Sequence, residues 1–355
     1  MRLRASLLIL GLLAFASAGL VCEAQPLPEP LPGTVKFSKD KLTLNDALAE
    51  MQMLTDNVVV DRRTNKTNPE LTFKSKTGLY WEMLDAIGTQ GVGFSAYQEG
   101  GGVALVDAPY RKLQTDYSSI FRFVVKRVTV TRDDETQAHT CQVSLDAAWE
   151  PRFQLLYLNL NEAEVRFGKQ HEKVERQSAR PVAGVSATEI ELTTKAPPRV
   201  VAEIAALKGT IRVIGAPKML EFAFDKLDVK PIVKEGVEVR LSYVNKKSNR
   251  WTVEVLSEYP SGAIVPLESF QSWMDNNRVW LSFGMDPKTK RPYELEPSGQ
   301  SPQDSKTGTK IRYEFTPRGD VPLPALNANV TLRQRTPNRV VAFTVPFKFE
   351  HLPLP

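Results

Sequence analysis

From Phe121 to Val130 apolar and polar residues alternate (Phe-Arg-Phe-Val-Val-Lys-Arg-Val-Thr-Val), and this near period of two constrains the fold more than any other feature of the chain. A period of two puts successive side chains on opposite faces of a strand, one buried and one wet. The segment turns at Arg132–Glu135 and returns over Gln142–Trp149. Further strands are expected at Leu155–Leu160, Ala187–Thr194, Val200–Ala206, Gly209–Ile214 and Leu220–Phe224. Short, evenly spaced strands divided by turns predict a β-sandwich. Proline (25) outnumbers glycine (20), which suits strands and turns better than long helices.

A weak internal echo suggests two such units. Lys208–Val213, Pro217 and Glu221–Phe224 resemble Asn329–Arg333, Pro337 and Phe343–Phe347. Val143–Pro151 likewise resembles Val253–Pro260. Tandem Ig-like β-sandwich modules are therefore expected over residues 117–226 and 227–355, with the boundary near Lys226–Lys234. The second should hold a helical turn at Leu267–Met274 and, over residues 286–310, a mobile polar loop.

Residues 34–108 read differently. Leu44, Ala47, Leu48, Met51 and Leu54 repeat at three and four, as one buried helix face does, and Thr43 or Asn45 can cap the start. A second helix is expected over Leu79–Thr89, with Leu79, Met83, Leu84 and Ile87 inward and Gly91 as its stop. Strands at Val35–Phe37, Asn57–Asp61, Leu71–Lys74, Val92–Gln98 and Val103–Val106 complete a small α+β domain of order β-α-β-β-α-β-β.

The pieces Leu42–Leu48, Asn57–Asp61, Leu71–Lys74, Leu79–Asp85 and Gly93–Tyr97 resemble the short N-terminal domain shared by secretins and TonB-dependent receptors. The resemblance covers about a fifth of the chain and implies a periplasmic docking module without catalytic residues. No barrel-forming region follows it, so only the docking role carries over. Leu267–Trp273 and the segment Val345–Pro355 are similar to the closing part of uncharacterised exported proteins of planctomycete-type bacteria, which implies no activity.

Residues 1–24 have the three parts of a secretory signal: Arg2 and Arg4, the apolar run Leu7–Phe15, and small residues ending at Ala18 or Ala24. The run is shorter than the roughly 20 residues a bilayer span needs. A Pro-rich leader follows over residues 25–33. The expected location is the periplasm, the cell surface or the medium, and the chain is not expected to span a membrane. The formal charge of +5 is spread among acids, unlike a nucleic-acid footprint, so no nucleic acid is expected.

Candidate chemistry is sparse. His139, His171 and His351 lie far apart, and His171-Glu172-Lys173-Val174-Glu175 is half of a zinc motif without its second histidine. Cys141 sits in an alternating strand as a small apolar residue. Gly184–Thr188 lacks the second glycine of a nucleophile elbow. Asp133–Glu135 clusters oxygens as a calcium site would, but a polar hairpin tip explains it without a metal and is the reading taken. The five tryptophans read as core, with sugar stacking as the other use of a flat ring. The sequence thus points to a non-enzymatic envelope scaffold with no catalytic residue, cofactor or metal, docking another envelope protein. Lys74 and Lys76, on the polar side of the Leu71 strand, are the candidate partner-binding residues. The alternatives are carbohydrate or cell-wall binding by the sandwiches and, behind it, an enzyme with scattered acids.

Overall fold

A computed structural model describes residues 29–98, 101–174, 184–260, 277–304, 308–325 and 328–355, together with the backbone of 180–181. The expected signal peptide and the helical turn expected at Leu267–Met274 lie outside the described residues. The described residues are mostly β-strand in several sheets, with two short helices among them.

The N-terminal unit runs β1 (Thr34–Lys36), β2 (Lys41–Thr43), α1 (Leu44–Thr55), β3 (Val59–Asp61), β4 (Glu70–Thr72), β5 (Thr77–Leu79), α2 (Tyr80–Gly88), β6 (Gly93–Ser95) and β7 (Val103–Val106). Beyond the expected order, short strands β2 and β5 each lead straight into a helix. Strand β1 pairs with β5 and β2 with β4. A third sheet has the order β3-β7-β6, with β3 parallel to β7. Thr43 caps α1, its Oγ1 accepting the Asp46 N–H at 3.3 Å. The buried face of α1 is Leu44, Ala47, Met51 and Thr55. Leu54, expected inside, is exposed. Thr55 takes the inward place, donating its hydroxyl to the Met51 carbonyl at 2.7 Å, because the helix end there lies against Gly33, where only a small side chain fits.

The first sandwich opposes two sheets. One comprises β8 (Thr115–Ser118), β9 (Phe121–Arg132), β10 (His139–Trp149) and β14 (Ala187–Lys195). The other is built on β11 (Gln154–Phe167), β12 (Gln170–Lys173), β13 (Arg180–Pro181) and β15 (Glu203–Ala216). Two strands were expected where β15 is one. Gly209 does not break it: a Cβ there would meet the Phe347 ring at 2.4 Å and the Glu162 carbonyl at 2.8 Å, so the glycine permits close approach inside a continuous strand.

The chain then leaves this sandwich and builds a second from β16 (Met219–Asp225), β17 (Ile232–Lys234), β18 (Val237–Lys246), β19 (Trp251–Glu258), β20 (Arg278–Phe283), β21 (Tyr293–Leu295), β22 (Gly299–Gln303), β23 (Thr309–Phe315) and β24 (Val330–Pro337). Its sheets are β16-β24-β20-β21 and β17-β18-β19-β23-β22. Residues 286–310, expected as a loop, contain β21, β22 and the start of β23. The hydrophobic Tyr293, Leu295 and Ile311 anchor them to the second core.

Finally β25 (Val341–Pro353) returns to the first sandwich and pairs with β15 along Gly215↔Val341 to Glu203↔Pro353. Phe343, Val345, Phe347 and Phe349 complete the first core. The sheets are therefore not divided at residues 226/227 as the sequence suggested. The second sandwich is an insertion between β15 and β25. The echo around Pro217 and Pro337 marks the two legs of one antiparallel ribbon: β15 pairs with β25 on one side, β16 with β24 on the other, and the Asn338 N–H donates to the Lys218 carbonyl at 3.0 Å between them.

Candidate docking surface

The N-terminal unit is fastened to the first sandwich by buried polar groups. Glu150, at the end of β10, is almost fully buried. Its carboxylate accepts the Gly33 N–H at 2.7 Å, the Asn57 amide at 2.9 Å and the Arg152 Nε–H at 2.6 Å. From α2, Asp85 is gripped by both arms of Arg122 at 2.8 and 2.9 Å and by the hydroxyls of Tyr117 (2.5 Å) and Tyr110 (3.0 Å). The Arg122 guanidinium also lies over the Phe94 ring. Trp81 donates to the Ile120 carbonyl at 3.1 Å. Buried charges persist only when paired and hydrogen-bonded, and both carboxylates meet that condition. Ala148 and Ala187 of the sandwich join the core of the N-terminal unit.

Backbone completes the seam. The Ser186 N–H donates to the Ala96 carbonyl, Gly101 N–H to the Gly184 carbonyl, and Gly102 N–H to Ser186 Oγ. Gly101, Gly102 and Gly184 all have positive φ, a conformation that glycine adopts without steric cost. The Gly184–Ser186 segment, which lacks a nucleophile elbow's second glycine, is thus part of a strand-like junction. Beside it the Tyr97 hydroxyl donates to Asp146, whose in-register neighbour Glu189 is bonded by Ser144 and Lys126. Lys126 reaches Glu189 from a β-bulge in β9, where the register shifts opposite Ser144–Leu145.

The seam covers the β6 side of the β3-β7-β6 sheet and leaves the β3 side open. Strand β3 has no strand neighbour beyond β7 among the described residues. Arg62, just past it, donates to the Leu105 carbonyl, so alternate backbone groups of β3 face away from β7. Within the same stretch Met53 is 74% exposed, Val60 49%, and Leu54 and Val58 are exposed as well. Val58 and Val60, apolar and open to water at an unpaired edge, are the kind of surface that proteins usually cover, while Met53 and Leu54 lie on α1, which packs on β1, β2 and α2.

Lys74 and Lys76 are exposed, but neither is on a strand. Strand β4 ends at Thr72, and both lysines sit in the turn to β5, outside the β3-β7-β6 sheet. Lys76 pairs with Asp40 at 3.4 Å. The sequence reading therefore placed them on the wrong element. The Val-rich strand after α1 is foreseen at Asn57–Asp61; its place at an open edge with Val58 and Val60 exposed is not.

His171 pairs with Glu164 on the neighbouring strand. Asp133 spends its carboxylate on the N–H groups of Glu135 and Thr136, which hold its pKa low. Cys141 is buried, and burial pushes its thiol up to about 11. Trp81, Trp149, Trp251 and Trp280 are buried, while Trp273 lies outside the described residues. Among the described residues no three His, Cys, Asp or Glu side chains gather as metal ligands, and no helix is long and apolar enough to cross a membrane. Compared with protein-family models and with curated proteins, the chain matches none of them.

Proposed function

We propose that this protein is an exported, non-enzymatic scaffold of the bacterial envelope, and that its N-terminal unit docks another envelope protein at the open edge of β3. The observation that carries the reading is the coincidence of that edge with the exposed Val58 and Val60 on a unit bolted to the sandwich. A partner strand added there gains backbone hydrogen bonds, and its side chains cover the valines. Rigid attachment lowers the ordering cost of association. The resemblance to secretin and receptor N-terminal domains points the same way, and the signal-like residues 1–24 support export.

A photo-crosslinker placed at Val60 in the exported protein tests this, with one at the exposed Val233 of β17 as the control. Val60 should capture an envelope protein that Val233 does not, and V58K, with the crosslinker kept at position 60, should abolish capture with the thermal midpoint unchanged. Identical capture from both positions, or capture that survives V58K, overturns the proposal.

A further inference from the structure

The outer face of the first sandwich carries a cleft of about 910 Å³, walled by Asp116–Ser118 of β8 at one end and Lys173–Val174 at the other. Its charges stand in register across four strands: Lys173 opposes Glu164, Glu164 opposes Lys208, and Lys208 opposes Lys348. Directly opposed residues of antiparallel strands share a face, so these side chains form one row. A second row two residues away is Glu162, Thr210 and Pro346. Between the rows Ala163 and Phe347 turn into the core and Gly209 has no side chain, which leaves backbone as the floor.

Like charges directly opposed, as Lys208 and Lys348 are, destabilise a sheet. Lys348 is offset by Glu350 at 2.6 Å, and Glu164 is engaged by His171. Lys173 and Lys208 have no ion-pair partner within 4.0 Å among the described residues. They stand two strand spacings apart, about 10 Å. The same cleft offers acceptors in Glu162 and Asp116, and hydroxyls in Ser118 and Thr210. A plain polyanion would satisfy the lysines and be repelled by the carboxylates. A ligand with both anionic groups and hydroxyl donors satisfies both.

We propose that this cleft binds an acidic oligosaccharide, a chain whose units carry a carboxylate or a sulfate beside free hydroxyls. Recognition is by ion pairs and hydroxyl donation, since none of the buried tryptophans offers a stacking face. The site is separate from the β3 edge, so V58K should leave it untouched.

Titration calorimetry on the full chain tests this with an oligogalacturonate, a sulfated oligosaccharide, a neutral oligosaccharide of equal length, and polyphosphate. At least one acidic sugar should bind, with affinity falling as salt rises. The arm that binds tells carboxylate from sulfate. K208Q should weaken binding tenfold or more, K173Q/K208Q should remove it, and K247Q, at an exposed lysine of the second sandwich, should change nothing. All three lysines are exposed, so these variants should fold, which circular dichroism checks. Binding by neither acidic sugar overturns the proposal. So does equal binding of the neutral sugar or of polyphosphate, or an equal loss in K247Q.

Discussion

Arg122 shows what a single buried charge does in this molecule. It neutralises Asp85 across the seam, and without it the carboxylate keeps only two tyrosine hydroxyls in a buried site. R122M should cost about 3–5 kcal/mol, because it strands an uncompensated charge. D85N/R122M should recover part of that loss, and urea unfolding of both variants measures it. Asp146 and Glu189, side by side in register, should respond to pH in opposite directions. Burial raises the Asp146 pKa, against the hydrogen bond from Tyr97. Its contribution is therefore full below the unfolded value and is lost as pH rises through the native one. Glu189 is held low, first by the Ser144 hydroxyl and then by Lys126. Its contribution is full above the unfolded value and is lost as pH falls through the native one. From about pH 3 to about pH 7, across the ordinary carboxylate range, D146N should gain stability relative to the parent while E189Q loses it. Denaturant midpoints at both ends of that window check the pair, and equal offsets at the two ends would refute the assignment.

At the scale of elements, β15 depends on Gly209. G209V would drive a branched side chain into Phe347 and the Glu162 carbonyl, and should cost about 1–3 kcal/mol or more by overpacking. A thermal melt reads this directly; an unchanged midpoint would mean that β25 can move aside. The same glycine explains why one strand was read as two, for in a lone sequence a strand-interior glycine looks like a break. What was legible followed from local pattern. Thr43 could be seen as a cap, Met83, Leu84 and Ile87 as an inward face, and β10 as a strand ending near Trp149. What was not legible depended on partners. Alternation tells which face of β25 is buried but not that β15 lies beside it, because a period of two sets the face and leaves the neighbour open. The open edge of β3 was hidden for the same reason, and Lys74 drew attention as a charge on what looked like a strand.

The whole molecule is one sandwich interrupted by another. Gly215 and Val341 are direct partners, so the ends of the insertion meet where it leaves. Replacing residues 218–338 with a short Asn-Gly turn should therefore close β15 onto β25 as a hairpin and leave the first sandwich and its N-terminal unit folded. The excised 218–338 segment has its own core and should also fold, within the stability expected of a domain of this size. Calorimetry of the two pieces should give two independent transitions, and a molten shortened protein would show that the sandwiches need each other. The insertion has a further consequence in time. As the chain emerges, residues 219–337 carry every strand of the second sandwich among the described residues, whereas the first lacks the five phenylalanine and valine side chains of β25 until that strand follows. The middle of this protein can finish folding before its beginning. Until then the earlier half stands open along β15, exposed to whatever meets the chain on its way through the cell.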